Sequence, residues 1–130
     1  MSISVSWDNP QKTVIRYLVE GEWGWDDLQA ANGEMNKLLE TINHQANILL
    51  VLHNTSLVPN EVFSRFKRSM RTRHPRLGSV MVFVGAPRLV RMLTETFTRL
   101  YGRRAGLVFE FAETEEEGRR ILAAAETRLQ

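Results

Sequence analysis

Five consecutive apolar residues, Ile48-Leu49-Leu50-Val51-Leu52, run unbroken from Asn47 to the polar stretch His53-Asn54-Thr55-Ser56. An apolar run this short, with β-branched Ile48 and Val51 in it, is too brief for a helix. It reads as a strand buried on both faces in the middle of an α/β sheet. The rest of the chain is expected to build outward from it.

On the N-terminal side, Ile3, Val5 and Trp7 alternate with serines, the period of a half-buried strand. Asp8-Asn9-Pro10-Gln11 supplies turn residues. Thr13–Glu20 returns as a second strand with Ile15, Tyr17 and Val19 on one side, so the pair forms an antiparallel hairpin. Gly21 to Trp25 breaks that strand. Asp26 is the expected N-cap of a first helix, with Gln29 completing a capping box and Trp25 in the staple position. Leu28, Ala31, Met35, Leu38, Leu39 and Ile42 then fall on one helical face, ending near Asn43.

Beyond the central strand, Pro59-Asn60 opens a second helix with an apolar stripe of Val62, Phe63, Phe66 and Met70, closed by His74-Pro75. Ser79–Val84 is another buried strand. Pro87 sets the first turn of a third helix, in which Leu89, Val90, Leu93 and Phe97 face inward and Arg91, Glu95 and Arg99 form a solvent-side ladder. Leu107, Phe109 and Phe111 mark a last, more exposed strand. Thr114 with Glu117 caps a fourth helix whose buried face holds Ile121, Leu122, Ala125 and Leu129. Gly118 falls on the same face, which predicts a close helix–sheet approach there.

The fold class is therefore α/β: one domain over residues 1–130, ββαβαβαβα, with a mixed, mostly parallel sheet of about five strands. If consecutive strands are neighbours, right-handed crossovers put every connecting helix on one face. Both central strands nevertheless look buried on both faces. Either a partner subunit or a terminal segment folded over the second face would reconcile the two.

The 130-residue length suits one core. No apolar run approaches the ~20 residues that span a bilayer, and Met1 to Trp7 lacks the features of a secretory signal. Together with the absence of cysteine, this favours a cytoplasmic protein. No motif implies a cofactor. The three histidines, His44, His53 and His74, lack ligand-type partners at helical spacing apart from Glu40–His44 at a fraying helix end, which argues against zinc.

Ligands of open parallel sheets collect at the carboxyl ends of the strands. Here those ends supply Glu20, Trp23 and Trp25, then His53, Asn54 and Ser56, then Gly85, Arg88 and Glu113. A Ser/His/Glu set for a small hydrolase can be drawn from them, but no Gly-x-Ser-x-Gly elbow positions a nucleophile. Polar residues that end a strand and cap a helix account for the same pattern. Trp23-Gly24-Trp25 is either an aromatic platform or a plug seating the first helix.

Charge is segregated. Residues 1–60 carry net −4, 61–105 net +9 and 106–130 net −3. In the basic segment, Arg65, Lys67, Arg68 and Arg71 face away from the apolar stripe, with Arg73 and Arg76 in the loop beyond. This is either a solvated helix face or a surface for an anion: nucleic acid, acidic lipid or a phosphorylated ligand.

The element order, the opening hairpin and the closing strand–helix resemble the STAS domain of anti-sigma-factor antagonists and transporter C-terminal regions. The phosphorylated members end the central strand with Asp and start the next helix with a phosphorylatable Ser. This chain has His53-Asn54 and Asn60-Glu61-Val62-Phe63 there, with Thr55 and Ser56 as the nearby hydroxyls. It is more similar to a broader bacterial STAS-like group compared with lipid-binding Sec14 domains. The resemblance implies a regulatory or interaction module, without chemistry of its own, that binds a protein partner or a second copy of itself.

Overall fold

The computed structural model describes residues 2–54, 74–97, 99 and 108–128. In chain order they form β1 (Ile3–Trp7), β2 (Val14–Glu20), α1 (Trp25–Leu39), β3 (Ala46–His53), β4 (Leu77–Val84), α2 (Arg88–Phe97), β5 (Val108–Ala112) and α3 (Glu115–Arg128). The helix expected from Pro59 to Thr72 lies outside the described residues.

The five strands make one sheet in sequential order, β1-β2-β3-β4-β5. β1 pairs antiparallel with β2, and every later pair is parallel. The apolar run at Ile48–Leu52 is thus the third of five strands, parallel to β4 as expected.

Alternation along each strand divides the side chains between two faces. On the first face, Ala31, Met35 and Leu39 of α1 pack with Ile15, Tyr17, Val19 and Ile48. α2 contributes to this face through Arg91, whose guanidinium lies 5.4 Å from the centre of the Phe111 ring. Arg91 is therefore not the fully solvated rung that its helical spacing predicts. Phe111 in turn stacks on Phe83, with ring centres 5.4 Å apart.

On the second face, Leu122 and Ala125 of α3 pack on Leu49, Val51, Val82 and Val84. The double burial of β3 and β4 is accordingly met from within the chain. α3 folds back under the sheet, and Gly118 permits the approach. A Cβ at Gly118 would stand 2.7 Å from Leu49 Cδ1 and 3.2 Å from Val84 Cγ2.

Three local boundaries depart from expectation. α1 starts at Trp25 with Gly24 as its N-cap, not Asp26. The Asp27 carboxylate accepts the Gly24 N–H at 2.8 Å, so the acidic pair works within the first turn, where it also suits the helix dipole. α1 ends at Leu39, short of Asn43. Glu40 N–H still donates to Asn36 O, and the tighter Thr41-to-Leu38 and Ile42-to-Leu39 bonds then wind the chain off the helix. β4 begins at Leu77, two residues before the predicted Ser79. At the opposite end of the molecule, Glu117 N–H donates to Thr114 Oγ1 at 3.1 Å, the expected cap of α3.

The second face is fastened at its edge by charge. Asp8, in the hairpin turn, accepts two hydrogen bonds from the Arg119 guanidinium of α3, both at 2.9 Å. Glu115 accepts from Arg16 Nε at 2.6 Å and from Arg119 at 3.3 Å. Among the described residues, no helix is long and apolar enough to cross a membrane.

Candidate functional site

The carboxyl ends of the parallel strands share one backbone feature. β2, β3 and β4 each hand over to a residue in the left-handed region: Gly21 (φ 64°), Asn54 (φ 51°) and Gly85 (φ 73°). Glycine and asparagine are the residues that adopt this region at least cost. Gly85 is doubly constrained, since a Cβ there would lie 2.9 Å from the Leu52 carbonyl oxygen. The strands therefore turn sharply at a common edge, leaving their terminal side chains at its rim.

Register places Glu20 beside His53. Their nearest polar atoms, Glu20 Oε2 and His53 Nδ1, are 3.9 Å apart, and the side chains are 55% and 62% exposed. Asn54 is exposed next to them. This is a solvated acid–imidazole pair, attractive when the ring is protonated.

The tryptophans behave differently. Trp23 precedes the Gly24 cap, the position of a hydrophobic staple, and Leu28 is the matching residue in the helix. Both pack against the first-face core. The Trp23 indole Nε1 is buried and has no hydrogen-bond partner among the described residues. Of the two readings of Trp23-Gly24-Trp25, the plug describes Trp23. Trp25 does not precede the cap: it is the first residue of α1 and half-buried. Arg88, the first residue of α2, is exposed.

Thr55 and Ser56 lie outside the described residues, as do Arg65, Lys67, Arg68, Arg71 and Arg73. Arg76 is described, and its guanidinium is engaged. It donates to the Leu39 carbonyl at 3.4 Å and sits 3.7 Å from Glu40 Oε2, tying the end of α1 to the turn before β4.

That tie contains a polar cluster invisible to local patterning. His74 Nε2 is 2.7 Å from Glu40 Oε1, and His74 Nδ1 accepts the Arg76 backbone N–H at 3.0 Å. The hydrogen bond to His74 is the main reason the Glu40 carboxyl is held below its ordinary value. Glu40 thus pairs with His74, while His44 Nε2 lies 2.9 Å from the Lys12 carbonyl oxygen. Among the described residues, no three His, Asp or Glu side chains converge to hold a metal ion.

Asn47 is the other residue whose role its position in the sequence did not announce. It is a buried polar residue, and its Oδ1 accepts the Val80 N–H at 3.2 Å. It bridges β3 and β4 where their register shifts. Compared with family models, with curated proteins and with solved structures, the chain matches none.

Proposed function

We propose that the chain is a STAS-like regulatory or interaction module that binds a protein partner or a second copy of itself and performs no chemistry. The observation that carries this reading is the solvation of the strand-end polar groups. His53 and Glu20 are more than half exposed and stand beyond hydrogen-bonding distance of each other. A catalytic acid or base is ordinarily desolvated and oriented by a second group. Exposed polar side chains on a rigid sheet rim suit recognition instead. The opening antiparallel hairpin and closing strand–helix, on which the resemblance rests, are consistent with it.

The test has two arms. Sedimentation equilibrium measures self-association of the purified chain. Cross-linking in producing cells captures partners, which are then expressed and titrated against the chain by calorimetry. The expected result is saturable binding that His53→Asp/Arg88→Glu weakens while the fold is retained. Turnover of ester, amide or phosphoester substrates that disappears in His53→Ala would overturn the reading in favour of a hydrolase.

A further inference from the structure

We propose that His74 is a pH-responsive tie, which moves its hold from the turn entering β4 to the end of α1 when its ring takes up a proton. The side chain is only 10% exposed and is held at both nitrogens. A ring nitrogen that accepts an N–H carries no proton. Nδ1 accepts the Arg76 N–H, so the ring's one proton sits on Nε2 and is donated to Glu40. The neutral imidazole is thus satisfied on both sides.

A second proton, taken from solvent, has only Nδ1 to bind. There it faces the Arg76 N–H, donor against donor, and that backbone bond is lost. On the other side the Nε2–H bond to Glu40 becomes charge-assisted and strengthens. The gain and the loss fall on different elements, so protonation redistributes the ring's grip.

The described titratable and charged groups around the ring are Glu40, from the end of α1, and Arg76, from the turn itself. In the lead-in to β3, the titratable His44 is engaged with the Lys12 carbonyl, and neutral groups meet the turn. Gln45 Nε2 donates to Pro75 O at 3.4 Å, and Ala46 N–H to Arg76 O at 2.9 Å. Those bonds, with Leu77 N–H to His74 O at 3.0 Å, make the turn the anchor of β4 on the start of β3. Imidazolium and guanidinium must also share one carboxylate after protonation, which loosens Arg76 further.

Nitrogen-15 NMR of the histidine rings and amide exchange of Arg76, corrected for its intrinsic rate, test this over a pH series that carries the ring from its neutral to its protonated form. At the upper end the His74 ring is expected as the Nε2–H tautomer. As it titrates, Arg76 protection should fall about fivefold relative to Val82, the worth of one ordinary hydrogen bond. His74→Asn supplies a carboxamide oxygen that can accept the same N–H without titrating, so its Arg76 protection should stay flat. An Nδ1–H tautomer would overturn the proposal. So would constant Arg76 protection through the ring titration, or a parallel fall in His74→Asn.

Discussion

The Asn47 carboxamide occupies the space in which a side chain at Gly78 would stand. β3 and β4 pair as Ala46 with Leu77 and then Ile48 with Met81, so β4 carries extra backbone at this point. Asn47 fills the gap and accepts the Val80 N–H that the shifted ladder leaves free. Replacing Asn47 with Leu should strand that buried donor and cost about 1–3 kcal/mol. Gly78→Ala should also destabilise, because its methyl would additionally lie 3.1 Å from the Ala46 carbonyl oxygen. Urea midpoints of the two variants check both expectations.

Gly118→Leu should destabilise by roughly 1–3 kcal/mol through overpacking. Leu49, the first obstacle, is itself fully buried and has no room to yield. Gly118→Ala introduces the same close Cβ but gains up to about 1 kcal/mol of helix propensity, so its loss should be smaller. Unchanged thermal stability of both variants would show that α3 does not sit on Leu49.

Removal of the Arg119 side chain should cost about 1.5–3 kcal/mol, the range for hydrogen bonds to charged groups. The Asp8 side chain, 6% exposed, would lose a two-pronged partner in that variant. Arg119→Lys should recover only part of the loss, since an ammonium cannot reproduce the planar fork. Chemical denaturation of the three proteins side by side decides it.

The sequence revealed what is local and periodic. An uninterrupted apolar run at Ile48–Leu52 has few alternatives to a central strand, and the alternation at Ile15, Tyr17 and Val19 fixes a face. Gly118 even signalled the close contact of α3, because a glycine amid Leu122 and Ala125 has little other use. The cap of α1 lies at Gly24 and not at Asp26 because Asp27 reaches back to the cap N–H, and a glycine has no side chain to announce the position. The His74–Glu40 and Asn47–Val80 bonds join residues more than thirty positions apart. No pattern within a window encodes such pairs, since they exist only after the strands have aligned.

Stability should fall at both extremes of pH for identifiable reasons. The Glu115 carboxyl is held below its ordinary value of 4.5, chiefly by its hydrogen bond from Arg16. A depressed carboxyl contributes fully above the unfolded value and is lost as pH falls through the folded one. Glu115→Gln should therefore flatten the acid limb of a stability–pH curve below about pH 4.5.

At the alkaline end, burial pushes the Tyr17 phenol above its ordinary value of 10.0. The neutral phenol is the form the fold holds, with its hydroxyl donating to Asn32 Oδ1 at 2.8 Å. Its contribution is complete below the unfolded value and declines as pH rises beyond it. Tyr17→Phe should lower stability at neutral pH by about 1 kcal/mol and remove part of the alkaline loss. Guanidinium melts at neutral and alkaline pH compare the two proteins.

The placement of α3 has a consequence for the order of assembly. Strands that pair in sequential order can zip up as the chain is made, each closing only a modest loop. α3 breaks that economy, because it returns beneath β3 and β4 after the five described strands have been synthesised. Until it docks, Leu49, Val82 and Val84 lack the cover of Leu122 and Ala125, and uncovered apolar sheet is the kind of surface on which half-made chains adhere to one another. Maturation of this protein thus depends on its last described helix far more than a strand-by-strand account of the sheet would imply.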